Sequence, residues 1–140
     1  MMPMKHYIAI LVATLCMGCG GRIEMRQLER LEAQLDNVPH LVQQGLDSIP
    51  FAMLRGEARA LYAILRTQAD YKCYVPLTTD TLIRYATDYY NRNRKSYRAA
   101  MAWYSLGCVY TELQDDVAAV EAYLQAQRLF PDTTDRKSVV

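Results

Sequence analysis

The sequence predicts an all-α chain in which three antiparallel helix pairs stack as a short solenoid. Apolar residues recur with the helical period along six segments of the chain. Glycine, proline and β-branched runs are sparse after residue 25, which favours helix over sheet. Residues 100–133 also form one helix–turn–helix pattern of about 34 residues, a length typical of a repeat unit. The chain has 140 residues, which indicates one domain.

The first residues have the layout of a secretory signal peptide. Lys5 and His6 form a short basic start, and residues 7–15 are a mostly apolar run. This run is too short to span a bilayer, which needs about 20 apolar residues. We therefore predict a signal peptide at 1–18, a linker at 19–22, a helical-repeat domain at 23–131 and a tail at 132–140.

This segment resembles a bacterial lipoprotein signal, with Gly18 before the cleavage point and Cys19 as the residue that accepts the lipid. Cys16 departs from the pattern, because leucine is usual at that position and Leu15 lies one place too early. The resemblance implies that Cys19 is acylated by more than one chain, as stable anchoring requires. The alternative is an uncleaved N-terminal anchor, which also places the chain at a membrane.

The first predicted pair occupies residues 23–48. Residues 23–36 form an amphipathic helix whose apolar stripe contains Leu28, Leu31 and Leu35. Asn37 is the expected N-cap of the second helix, with Pro39 in its first turn. Pro50 ends this pair, and Ile49 and Phe51 are expected to pack back onto it.

The second predicted pair has a longer internal loop. Its first helix spans about 56–72, the loop covers 73–79, and Thr79 or Asp80 begins the next helix. A basic cluster follows, and it consists of Arg92, Arg94, Lys95 and Arg98. We interpret this cluster either as a solvated loop or as a contact to anionic lipid or to an acidic partner.

The third predicted pair has the sharpest pattern, with helices at about 97–113 and 116–130 and with Asp115 or Asp116 as the cap of the second helix. Its signature positions are Trp103, Leu106, Gly107, Tyr110, Ala119, Tyr123, Ala126 and Pro131. Gly107 and Ala119 are small, so the two helix axes are expected to approach closely there, while the larger signature residues fill the seam.

These eight positions resemble the tetratricopeptide-repeat family. The first two pairs match the family pattern only in degenerate form. The whole chain also resembles the N-terminal part of lipoproteins of the Bacteroidetes type, which begin with a lipoprotein signal followed by degenerate repeats. The resemblance implies a protein that binds other chains and is not an enzyme. No phosphate loop, nucleophile elbow or metal-ligand spacing occurs in the sequence.

In the family, the first helix of each pair lines a concave groove. The register implies that Met101, Tyr104, Cys108, Thr111 and Glu112 face this groove. Tyr104 and Cys108 depart from the family's carboxylate-binding pattern, so a mixed aromatic and polar groove for a protein segment is expected. The alternative for Tyr104 is packing against the third helix.

Charge and composition exclude other classes. The formal net charge is +1, which gives no support to nucleic-acid binding. His40 is the one histidine after the signal segment, and we interpret it as solvated. No metal and no cofactor is expected. Cys73 and Cys108 either pair outside the cytoplasm or remain a loop thiol and a core thiol, respectively.

The sequence thus predicts a lipid-anchored scaffold or adaptor at the bacterial outer membrane, facing the periplasm, with an unidentified protein or peptide as its partner. The alternative is a truncated sensor or regulator fragment of a longer repeat protein. The outer face of the last helix, with Val120, Leu124 and Gln127, is a candidate for partner binding or self-association through the last helix pair.

Overall fold

The computed structural model describes residues 21–90 and 96–131, and this part of the chain is helical without strands, which confirms the all-α prediction. Its helices are α1 (residues 21–34), α2 (Pro39–Asp47), α3 (Gly56–Lys72), α4 (Thr81–Tyr90), α5 (Tyr97–Glu112) and α6 (Asp116–Leu129), with a short 3-10 turn at Phe51–Met53. The signal segment with Cys19, the connector 91–95 and the tail 132–140 lie outside the described residues.

Two side chains cap helices in the way that short polar residues favour. The Ser96 hydroxyl accepts a hydrogen bond from the Ala99 amide at 3.1 Å, and the Asp115 carboxylate accepts one from the Ala118 amide at 3.1 Å. The predicted cap at Asp115 is therefore confirmed. These caps fix where the helices of the third pair begin.

The predicted cap at Asn37 is wrong. Val38 is the N-cap of α2, and no side chain bonds to the first turn. The Asn37 amide instead donates to the Gln34 carbonyl at 3.1 Å, so this residue still belongs to the turn that closes α1. Pro39 at the first helical position has no amide hydrogen, which removes one donor that a cap would satisfy.

Helix α1 begins at residue 21, within the segment 19–22 that was predicted as a linker. Residues 21 and 22 are already helical, although the linker was expected to extend through residue 22. A Cβ added at Gly21 would meet nothing within 4 Å, so no close packing requires a glycine here. The described part of α1 therefore includes two residues before the predicted start at residue 23.

The core has two clusters that share α3. One cluster joins α1, α2 and α3 through fully buried side chains that include Leu28, Leu46 and Leu61. The other joins α3 to α4, α5 and α6 through Ile64, Ile83 and other buried residues. Because different faces of α3 contribute to the two clusters, this helix connects them.

Helices α5 and α6 make the most extensive contact. A Cβ on Gly107 would lie 2.6 Å from Cδ1 of Tyr123, a separation that Cβ atoms essentially never show, so glycine is required for this approach. At the other end of the pair, the Tyr97 and Phe130 rings meet with centroids 6.1 Å apart. The ring contact joins the start of α5 to the end of α6, and the Gly107–Tyr123 contact joins the interior of α5 to the middle of α6.

Arg98 joins three helices. Its Nε and Nη2 atoms lie 3.0 and 2.7 Å from the two carboxylate oxygens of Glu32 on α1, and its Nη1 lies 2.8 Å from Oε1 of Glu57 on α3. Glu29 is also within 3.8 Å. Arg98 is therefore paired with carboxylates of its own chain and does not belong to a solvated basic cluster.

Candidate protein-binding surface

The predicted groove residues of α5 do not share one environment. Met101 is half-buried, Tyr104 is 39% exposed, and Thr111 and Glu112 are exposed. The Tyr104 ring packs on Tyr123 of α6, with centroids 5.6 Å apart and planes at 47°. The accessible part of the predicted groove is therefore an aromatic patch centred on Tyr104, above the seam between α5 and α6.

Cys108 corrects the groove prediction, because its side chain is fully buried. Its sulfur lies 3.9 Å from Nε2 of Gln68, and Gln68 also donates to the Ser105 hydroxyl at 2.9 Å. Burial raises the pKa of the Cys108 thiol. Cys108 therefore lies beneath the patch and does not line it.

Cys73 and Cys108 are both free thiols, so the disulfide alternative is wrong.

The polar groove residues at the end of α5 are already engaged within the chain. The Thr111 hydroxyl donates to the Gly107 carbonyl at 2.9 Å and lies 3.0 Å from the Tyr123 hydroxyl. Glu112 accepts a hydrogen bond from the Leu77 amide at 2.9 Å. These bonds fix the loop after α3 and the Tyr123 ring, so this end of the groove is rigid.

The aromatic hydroxyls of the patch remain protonated at neutral pH. The neighbouring Cys108 sulfur, followed by burial, raises the pKa of Tyr104. Burial raises the pKa of Tyr123 to about 12. The patch thus offers neutral phenol groups, which suit hydrogen bonding and apolar contact with a protein segment.

The signature residues of the third pair are distributed as a packing motif. Leu106, Gly107, Ala119 and Ala126 are buried, whereas Trp103, Tyr110 and Tyr123 are half-buried and Pro131 is exposed after the last helix. The Tyr110 hydroxyl donates to Asp80 at 3.0 Å and accepts from Arg84 at 2.8 Å. The Arg84 hydrogen bond holds the pKa of Asp80 below its usual value. This network ties α5 to the start of α4.

A cleft of about 760 Å³ lies between α4, α5 and α6. Its lining includes Trp103, Leu106 and Tyr110 of α5, with Arg84 of α4 and Arg128 of α6. Since these α5 residues lie roughly 100–160° from Tyr104 around the helix at 100° per residue, the cleft opens on a different side of α5 from the aromatic patch. The indole nitrogen of Trp103 is buried and has no hydrogen-bond partner in the part of the chain that the structure describes.

Sequence reasoning missed the polar contacts between distant helices. The Gln68–Ser105 hydrogen bond joins residues 37 apart in the chain, and the Arg98–Glu32 pair joins residues 66 apart. Gln68 lies on the buried face of a helix that was predicted from its apolar stripe, and this misplaced polar residue was the available signal. The sequence contains no signal for the cleft, because the cleft depends on the distance between α4 and α6.

Among residues 21–90 and 96–131, no three histidine, cysteine, aspartate or glutamate side chains come together in a set that could hold a metal ion. The helices of these two segments are also too short or too polar for any of them to cross a membrane.

No protein-family model, curated protein or solved structure matches the chain. The described fold is all-α, with an aromatic patch on one side of α5 and a cleft on a different side.

Proposed function

We propose that the protein is a tetratricopeptide-type adaptor that is lipid-anchored through Cys19 at the bacterial outer membrane, where it binds a segment of another protein. The observation that carries this proposal is the exposed Tyr104 ring, packed at a tilt against Tyr123, at the position where the resembled repeat family binds its ligand. The close approach of α5 and α6 at Gly107 supports the repeat assignment.

The aromatic patch suits a protein segment better than a small charged ligand. Tyr104 and Tyr123 offer ring faces and neutral hydroxyls. Thr111, which lies beside Tyr123, has a hydroxyl that is already bonded. Tyrosine contributes large contact area at low entropic cost, which is why it is common at protein interfaces.

The binding part of the proposal is tested by photo-crosslinking in cells. A photoreactive residue at Met101 should give one dominant adduct, and Tyr104→Ala in the same chain should reduce that adduct at least tenfold. Leu41→Ala is the control, since Leu41 is a 45% exposed apolar residue on α2. Equal adduct yields from both variants would contradict a role for the patch.

The anchoring part is tested separately by mass spectrometry of the mature N-terminus. We expect the N-terminal peptide to begin at Cys19 with acyl chains attached, and Cys19→Ala to move the protein out of the membrane fraction. An N-terminal peptide that retains residues 1–18 without lipid would reject the lipoprotein assignment.

A further inference from the structure

The outward face of α1 has a row of three arginines. Arg22, Arg26 and Arg30 are exposed and lie four residues apart in the sequence. At 100° and 1.5 Å per residue, they fall within roughly 80° of the helix circumference and span about 12 Å along its axis. None of them forms an ion pair or a hydrogen bond within residues 21–90 and 96–131. We call these three side chains the α1 arginine row.

The acidic residues of the first helix pair do not balance this row. Residues 21–48 also contain five carboxylates. One of them, Glu24, lies roughly 160° from Arg26 around α1 and thus on the opposite face. The other four are already paired with cations of α3 and α5: Glu29 and Glu32 with Arg98, Asp36 with Lys72, and Asp47 with Arg66. The outward face of α1 therefore keeps an excess of positive charge.

An exposed apolar side chain lies beside the arginine row. Ile23 is 66% exposed and lies roughly 20° from Arg30 around the helix. Cations next to an exposed apolar group are typical of surfaces that bind at the boundary between lipid headgroups and acyl chains. The composition of this face thus fits a membrane surface.

The position of the row in the chain selects its occupant. Helix α1 is already formed at residue 21, two residues after Cys19, the residue that is acylated in the proposed function. Two residues of backbone span at most about 7 Å. This distance is shorter than the screening length of about 8 Å at physiological ionic strength. An anchored chain therefore holds the start of α1 within electrostatic reach of the headgroups, and another macromolecule would have to insert into this gap.

We propose that the α1 arginine row lies on anionic phospholipid headgroups of the membrane that holds the anchor, with Ile23 in the headgroup region. This inference rests on the anchoring part of the proposed function. The guanidinium groups bind lipid phosphates, which match their planar set of donors. The acyl chains fix where the protein is held, and the arginine row fixes its orientation, with α1 along the membrane surface.

Vesicle binding tests this proposal on the full-length chain with Cys19→Ala, so that no acyl chain contributes. We expect co-sedimentation to show at least tenfold tighter binding to vesicles of phosphatidylglycerol and phosphatidylcholine than to vesicles of phosphatidylcholine alone. This preference should weaken as salt is raised, because exposed charges are screened. Residues 1–18 are the same in every variant, so their contribution cancels when variants are compared.

Point variants locate the binding. Arg26→Glu should weaken binding to the phosphatidylglycerol vesicles at least tenfold, since one arginine near an anionic surface strengthens binding roughly fivefold and its reversal adds repulsion. Arg26→Lys keeps the charge and should stay within about threefold. Arg128→Glu is the matched control, at an exposed arginine of α6 without an ion pair among the described residues, and should stay within twofold. Circular dichroism should show equal helix content in all variants.

Other outcomes overturn the proposal. Equal effects of Arg26→Glu and Arg128→Glu, or equal binding to the two kinds of vesicle, would remove the lipid surface as the occupant. A dimer in sedimentation analysis that Arg26→Glu dissociates would assign the row to a second copy of the chain. Ala33 is exposed and lies roughly 20° from Arg26 around α1. A protein adduct from a photoreactive residue at this position, lost on Arg26→Glu, would assign the row to an acidic protein.

The vesicle assay is independent of the tests of the proposed function, because it involves neither the acyl chains nor Tyr104. Failure of vesicle binding leaves the mass of the mature N-terminus and the Tyr104 adduct unchanged. An N-terminus without lipid would reject the anchor while the effect of Arg26→Glu on vesicle binding is still measured.

Discussion

Gly107 shows how one residue sets the distance between two helices. Glycine costs a helix interior about 1 kcal/mol relative to alanine, so its presence in the middle of α5 requires a packing gain. That gain is the Tyr123 ring, which occupies the space where a side chain at 107 would lie. The same ring then contacts Tyr104 and the Thr111 hydroxyl, so Gly107 indirectly positions the aromatic patch.

Replacement of this glycine should destabilise the protein. We expect Gly107→Leu to lower the free energy of unfolding by about 2–3 kcal/mol, because overpacking forces Tyr123 out of the seam. Urea denaturation measures the change, and Gly21→Ala is the control, since a Cβ there meets no neighbour. Unchanged stability of Gly107→Leu would show that the close approach at Tyr123 is not required.

The two described cysteines should differ in reactivity. Cys108 is fully buried and burial raises its thiol pKa, so both access and thiolate population are low. Cys73 is half-buried in the turn after α3. We expect iodoacetamide at pH 8 to label Cys73 at least tenfold faster than Cys108 in peptide mass spectra, and urea to remove the difference. Rapid labelling of Cys108 in the folded protein would show that its thiol is accessible, as the groove prediction requires.

At the scale of helices, Arg98 and Gln68 hold elements that are distant in sequence. Arg98 forms a two-bond contact with Glu32 and a further bond with Glu57, which connects the starts of α3 and α5 with α1. Gln68 and Ser105 form a buried polar contact between α3 and α5. Buried polar groups need their partners, so these contacts also select how the helices align along their lengths.

Removal of the guanidinium should loosen α1. We expect Arg98→Met to lower the free energy of unfolding by about 1–2 kcal/mol, a modest value because Glu57 is half-exposed and its pair is screened. Arg98→Lys should give an intermediate loss, since lysine keeps the charge but not the planar fork. Amide hydrogen exchange should show faster exchange in α1 for Arg98→Met. Equal exchange in α1 would contradict this role.

At the scale of the whole molecule, α3 makes the two core clusters dependent on each other. Leu61 and Leu65 face the cluster with α1 and α2, while Ala60 and Ile64 face the cluster with α4, α5 and α6. Unfolding of either cluster exposes one face of α3. We therefore expect the described residues to unfold as one cooperative unit.

The single tryptophan of the sequence allows a direct test of this cooperativity. Trp103 lies beside the second cluster, whereas Leu46 is fully buried in the first. Leu46→Ala should lower the free energy of unfolding by about 2–4 kcal/mol. The urea midpoints from Trp103 fluorescence and from circular dichroism should then shift equally. A shift in circular dichroism alone would show that the clusters unfold separately.

Much of the fold was predictable because helices depend on local periodicity. The bounds of α3 were predicted at 56–72 and found at Gly56–Lys72, since a long amphipathic stripe defines both ends. The small residues of the third pair were recognised by their spacing. Asn37 was misjudged as a cap because a local pattern does not reveal which turn a polar residue completes.

The candidate site was only partly predictable. Tyr104 is 39% exposed, whereas Cys108, which was predicted to be accessible, is buried. The two residues are one helical turn apart, and their environments differ because Tyr123 and Gln68 approach α5 closely at Cys108. Helical periodicity assigns a face, whereas the depth of burial on that face depends on the neighbouring helices.

By itself, the sequence determined that the described chain is helical, where most of its helices begin and end, and which residues approach closely in the third pair. These properties follow from interactions between residues a few positions apart. Tertiary structure alone decided the Arg98 contacts, the Gln68–Ser105 bond, the cleft, and which apolar residues of α6 remain exposed. Each of these depends on the distance and orientation of helices whose residues are far apart in the chain, which no local pattern encodes.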